Sequence, residues 1–168
     1  LLIQISDIHV KDEKSRGLSR LAELAPAVGS LRDACPHAVF LLTGDIAYSG
    51  KSDQYELIRT ALDQVASRLR VEWRFQSVEF VTCPGNHDCD FDLQKGVVRE
   101  ALLSSISGDG DGQIDLVHEL SDIQSSYYEF ADAIEGERLP RHSVVRKVEK
   151  DVGGRKFNCL SVNTAWSS

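Results

Sequence analysis

The chain has few cysteines, few basic residues relative to acidic ones, and no long apolar runs, internal repeats or low-complexity tracts. Each shortage excludes something. The four cysteines, Cys35, Cys83, Cys89 and Cys159, form no C-x-x-C pair, so their spacing gives neither a zinc framework nor a redox dithiol. Isolated thiols suit a reduced, cytoplasmic protein better than a disulfide scaffold. No apolar run approaches the roughly 20 residues that span a bilayer, so no membrane partner is expected. Lysine and arginine number 19 against 26 aspartate and glutamate, a formal charge of −7. That balance works against long-range attraction to nucleic acid. It leaves room for a phosphate site built on metal ions, because a bound cation dominates its local field.

What the chain does have is a 42% hydrophobic content over 168 residues, enough for one core and one domain. It begins inside an apparent strand and stops after a strand-like run. We therefore expect it to be an incomplete copy of its domain, followed by further domains of the same chain.

Apolar runs at 1–6, 38–43 and 78–82 read as buried strands. Between the first two, Leu18, Leu21, Leu24, Ala25, Val28 and Leu31 fall at helical spacing, with Pro26 predicting a kink. Between the second and third, Tyr55, Ile58, Ala61, Leu62, Val65 and Leu69 form a helical face, with Asp53 and Glu56 predicting a capping box. Residues 1–82 thus read β-α-β-α-β, the signature of a largely parallel sheet. Further on, 108–112 is a Gly/Asp loop that lacks the ligand run of a calcium loop. Leu116, Leu120, Ile123, Tyr127, Phe130 and Ile134 predict one amphipathic helix. Strands at 143–148 and 156–162 flank Gly153-Gly154 and predict a hairpin. Arg141, Arg146, Lys147, Lys150, Arg155 and Lys156 make that hairpin locally basic. It reads as a solvated face, with a phosphate-bearing partner as the alternative.

Three motifs follow the three strands: Asp7-Ile8-His9, Gly44-Asp45 and Gly85-Asn86-His87-Asp88. Ligands of open α/β sheets bind outside the carboxyl ends of the strands. Oxygen donors mixed with imidazole suit divalent ions of the Zn, Mn or Fe kind. Asp7 and His9, two apart, would point the same way in an extended segment. Gly44 permits a close backbone approach, and the Asp45 carboxylate has two oxygens that can bridge two cations. Asn86 offers a neutral carbonyl oxygen, and His87 can exchange a proton near neutral pH. Asp88 is placed to orient a histidine. Each motif alone has a plain reading: His9 a core histidine, Asp45 a cap or turn residue, 86–88 ordinary turn chemistry. Their joint placement favours a site, with Asp45 lying 38 residues after Asp7 and Asn86 lying 41 after Asp45.

In order and spacing these motifs resemble the first three signature blocks of the calcineurin-like metallophosphoesterase superfamily. Tyr48-Ser49-Gly50 resembles its cyclic-nucleotide phosphodiesterase members, and 157–164 resembles the strand after the family's cap region. The resemblance implies a four-layer α-β-β-α sandwich with a cap or insertion at 91–142. It implies two divalent metal ions, Mn, Fe or Zn. Asp7 and His9 would hold the first, Asp45 would bridge both, and Asn86 would hold the second. His87 would be catalytic, with Asp88 supporting it. The implied partner is a phosphate ester, with nucleotides among the candidates.

The family's later histidines, a lone His and a Gly-His-x-His block, have no counterpart here. His37, His118 and His142 sit in no such motif. The 168 residues are therefore expected to hold an incomplete site with little activity alone, and His118 and His142 are expected at the surface. Two other readings stay open: a non-catalytic module that keeps the fold as a scaffold, and a nuclease acting on nucleic acid.

Overall fold

The computed structural model describes residues 1–106, 113–141 and 143–168. The Gly/Asp loop at 108–112 and His142 lie outside the described residues. Strands β1 (Leu2–Ile5), β2 (His37–Thr43) and β3 (Ser77–Cys83) form a parallel sheet in the order β1-β2-β3. Leu2 pairs with Val39 and His37 with Ser77 at the starts of the ladders. The predicted β-α-β-α-β unit is present. Alternate side chains of the central strand serve opposite faces, as the pleat requires. Ala38, Phe40 and Leu42 enter the main core, while Val39 meets Val81 and Val148 on the other side.

Helices cover the first face. In place of the kink expected at Pro26, the helix breaks at Glu23: α1 (Arg16–Ala22) ends and α2 (Leu24–Gly29) begins on either side of it. Pro26 then stands in the first turn of α2, where its missing N–H leaves no helical bond unmade. Helix α3 (Ser52–Val71) buries Tyr55, Ile58, Leu62, Val65, Ala66 and Leu69. The expected Asp53–Glu56 capping box is absent. The cap position is Lys51, with no side-chain cap bond. Asp53 Oδ1 instead accepts from the neighbouring Gln54 N–H at 3.0 Å.

The single helix predicted over 116–134 is two: α5 (Gln113–Ser121) and α6 (Ser125–Glu135), joined by a 3-10 turn at Asp122–Gln124. The reason is two long-range contacts. The Ile123 carbonyl accepts the Asp90 N–H at 2.7 Å, and Gln124 turns inward to Asn163, whose amide donates to Gln124 Oε1 at 2.7 Å. The apolar phase survives the break, so Tyr127, Phe130 and Ala131 of α6 join the main core. Helix α4 (Gly96–Ser105) precedes α5.

The hairpin is present as β4 (Val145–Val152) and β5 (Arg155–Val162). Gly153 and Gly154, at φ 61° and 75°, make the two-residue turn that only positive φ permits. Its inner face, Val148, Val152, Phe157 and Cys159, packs on Val39, Leu41 and Val81, so the hairpin lies on the sheet face opposite the helices. A buried ion pair fastens it. Arg146 donates to Glu135 at 2.7 and 2.9 Å and to the Thr82 carbonyl at 2.7 Å, while Glu135 Oε1 accepts the Thr82 N–H and hydroxyl. One carboxylate thereby links α6, β4 and the end of β3.

Candidate metal centre

Beyond their strands, the chains after β1 and β2 run side by side. Asp7 N–H donates to Gly44 O at 3.2 Å, His9 N–H to Asp45 O at 3.0 Å, and Val10 N–H to Ile46 O at 3.2 Å. Asp7, His9 and Asp45 all adopt positive φ, at 55°, 49° and 53°. Among the described residues the only other non-glycine with positive φ is Arg74. Left-handed backbone is costly for side chains with a Cβ and persists where surrounding structure enforces it, often at functional sites. The expectation that Asp7 and His9 converge by strand alternation is corrected here. β1 ends at Ile5, and a left-handed turn brings His9 Nε2 to 3.7 Å from Asp7 Oδ1.

The turn after β3 closes on the same place. A Cβ on Gly85 would lie 2.2 Å from Asp45 Oδ1 and 2.4 Å from Asp45 N, so only glycine fits. The His87 N–H donates to Asp45 Oδ1 at 3.0 Å. His9, Asp45 and His87 then present ligand atoms all within 4.8 Å of one another. The two imidazoles meet edge to face with centroids 4.5 Å apart. Asn86 lines a cavity of about 310 Å³ together with Asp7 and Asp45. Asp45 thus belongs to both groupings.

His87 Nδ1 lies 2.8 Å from the Tyr48 carbonyl oxygen. A carbonyl only accepts, so Nδ1 carries hydrogen and Nε2 is the atom left for chemistry. Asp88 is not the partner of that ring among the described hydrogen bonds. It is buried beneath the site, where Oδ2 accepts the Gly85 N–H at 2.8 Å and Oδ1 accepts from Ile46 N–H at 3.1 Å, Ala47 N–H at 2.9 Å and the Tyr55 hydroxyl at 2.9 Å. Burial pushes its carboxyl above the ordinary value, against the pull of these donors. Asp88 thereby joins the loops after β2 and β3.

The structure brings Asp7, His9, Asp45, Asn86, His87 and Asp88 to one sheet edge. It places His118 at the surface, as expected, on α5. The supports are not visible in the sequence: Tyr48 for its carbonyl, Tyr55 for its hydroxyl, and Gln54, whose Oε1 accepts the Tyr48 and Ser49 N–H groups at 3.1 and 2.9 Å. Tyr55 and Gln54 sit in a helical pattern that hides polar roles. Tyr48 at least stood in a noted motif.

The calcineurin-like phosphoesterase family model matches residues 1–144. The chain belongs to the calcineurin-like phosphoesterase family. Metal-dependent hydrolysis of phosphate esters is what that membership suggests, and the His/Asp cluster at the strand ends fits it. The fold is mixed α/β with a parallel sheet, consistent with such a domain. No curated protein matches the chain, so the substrate has to be argued from its own residues. No helix among the described residues is long and apolar enough to cross a membrane.

Proposed function

We propose that this protein is a cytoplasmic, metal-dependent phosphoesterase that hydrolyses a phosphodiester or phosphomonoester at a dinuclear centre, within a four-layer sandwich whose insertion region is 91–142. The observation that carries the reading is that Asp45 is shared by the His9–His87 cluster and the Asp7–Asn86 cavity. Its donor set, carboxylates, imidazole and an amide oxygen, suits Mn, Fe or Zn. Asp7 and His9 would hold one ion, Asn86 the other, and Asp45 both. Two such ions activate water and stabilise the oxygens of an in-line displacement at phosphorus.

The chain's own residues do the rest. The positive-φ turns fix Asp7, His9 and Asp45 before any ligand arrives, which limits the ordering cost of binding. His87, tied through Nδ1 to Tyr48, keeps Nε2 available to hold or deliver a proton at the leaving oxygen. Asp88 and Gly85 hold the turn that carries Asn86 and His87. A nuclease is a poorer reading, because acids of the same region offset the hairpin cations. Arg146 pairs with Glu135, Lys150 with Glu137, and Lys156 with Glu149.

The test is hydrolysis of p-nitrophenyl phosphate and bis(p-nitrophenyl) phosphate by the full chain, with Mn and after chelation, beside elemental analysis of Asp45→Ala. We expect activity only with metal, and loss of bound metal in the variant. Activity that survives chelation, or a fully loaded Asp45→Ala protein, would refute the reading.

A further inference from the structure

Beside the metal centre lies a second cavity, of about 460 Å³, that Asp7 and His9 also line. Its lining is mostly cationic and apolar. Lys11, Arg16 and Arg20 line it, and Asp7 is the only carboxylate among its described lining residues. In a chain of formal charge −7, three cations are gathered at one opening. None of the three forms a salt bridge among the described residues; other surface cations share that, but only these three line one cavity together. Unpaired cations around a concave opening focus potential on an anion.

The segment that carries them is held against the site. Ser15 Oγ accepts the Lys11 and Asp12 N–H groups at 2.9 and 3.0 Å, which ties the loop after His9 to the start of α1. A Cβ on Gly17 would stand 2.3 Å from the Ile8 carbonyl, so glycine lets α1 press directly on the Asp7-Ile8-His9 turn. The cations are therefore placed by the same turn that places two metal ligands. Tyr48, 46% exposed, also lines the cavity, with Lys11 Nζ over one face of its ring 5.3 Å from the centroid, so the opposite ring face and edge are left to a ligand. Leu21 and Leu24 give the cavity an apolar wall.

We infer that this cavity is a subsite for the leaving alcohol, and that it selects alcohols carrying a second phosphate and a flat apolar body. A nucleoside 3′,5′-bisphosphate has that chemistry. The inference rests on the phosphoesterase reading and names its substrate class. One phosphate sits at the metal centre, the second meets Lys11, Arg16 and Arg20, and the base lies towards Tyr48. The reaction is plain hydrolysis: water oxygen bonds to phosphorus, the ester P–O bond breaks, and the leaving oxygen takes a proton. Inorganic phosphate departs, and the alcohol keeps its second phosphate. At about 460 Å³ the cavity is of small-ligand size, within the common range of roughly 300–1,000 Å³.

The test compares kcat/KM for adenosine 3′,5′-bisphosphate with that for adenosine 5′-monophosphate, using the full chain with Mn. We expect a preference of about tenfold or more for the bisphosphate, the scale of one charge-assisted contact. The preference should fall towards one in an Arg16→Gln/Arg20→Gln variant and persist in Arg16→Lys/Arg20→Lys, which keeps the charge. A second readout needs no turnover. Calorimetric titration of the chelated protein with the bisphosphate should show binding that weakens with salt and by about tenfold or more in the Gln variant. No preference in the wild type, or an unchanged preference in the Gln variant, overturns the subsite. Equal preference for fructose 1,6-bisphosphate overturns the role given to Tyr48. If no ester is hydrolysed while the bisphosphate still binds through Arg16 and Arg20, the phosphoesterase reading fails and the subsite stands.

Discussion

Replacing Asp88 by asparagine tests how the site is held together. Asn has nearly the same shape, so the perturbation is electrostatic. The carboxylate accepts from Gly85 N–H on Oδ2 and from Ile46, Ala47 and Tyr55 on Oδ1. Both oxygens face donors, so either orientation of an amide sets its NH₂ against one of them. The milder choice keeps the carbonyl towards Ile46, Ala47 and Tyr55 and leaves the Gly85 N–H facing another donor. An orphaned buried donor costs roughly 1–3 kcal/mol, and the remaining bonds lose the strength a charged acceptor gave them. Relief of the buried charge, visible in the raised Asp88 pKa, offsets part of this. The net expectation is a loss of about 2–4 kcal/mol.

For a domain of this size that corresponds to a Tm lower by roughly 4–16 °C. The assay is urea unfolding followed by the fluorescence of Trp73 and Trp166, at constant m-value. Tyr55→Phe removes a single donor to the same carboxylate and should cost less, about 1–2 kcal/mol. Because both variants act on one network, the double variant should fall short of the sum. An Asp88→Asn protein within about 0.5 kcal/mol of the wild type would refute the account, since surface substitutions behave that way.

Much of the fold was legible because the signals were local. Three apolar runs with helical periodicity between them dictate a parallel β-α-β-α-β unit, and Gly153-Gly154 dictates the hairpin. The positions of Asp7, Asp45 and Asn86 after their strands already placed the three residues at one edge of the sheet, where they line a common cavity. What the sequence hid were interactions between distant residues. Nothing in Ile123 or Gln124 announces that Asp90 and Asn163 will interrupt a helix. Nothing in Tyr55, which fits an apolar stripe, announces a hydroxyl aimed at Asp88. Strand alternation does not bring Asp7 and His9 together; positive φ at both residues does, held by backbone bonds to the neighbouring loop after β2. The hairpin's charges read as basic in sequence because their acids, Glu135 and Glu137, lie at the end of α6 and just beyond it.

Three further outcomes follow. His87→Ala should lower kcat by about 10²–10⁴ while metal content by elemental analysis is largely retained; loss of metal would make His87 a ligand instead. Burial pushes the Cys89 thiol up to about 11, so iodoacetamide near neutral pH should label it last among the four cysteines, faster as pH rises, and readily only in urea. Early native labelling of Cys89 would contradict its burial. Finally, Arg146→Ala should destabilise more than any change at an exposed lysine of the hairpin. It leaves Glu135, whose side chain is 0% exposed, as a buried carboxylate without its cation. Removing one partner of a buried pair costs about 3–5 kcal/mol, because the remaining charge is stranded. Glu135→Gln should suffer less, since an amide oxygen still accepts from Thr82 and Arg146 keeps its bond to the Thr82 carbonyl. The ordering is the decisive measurement: if Arg146→Ala is no worse than Glu135→Gln in urea, the pair does not fasten the hairpin to α6 and β3.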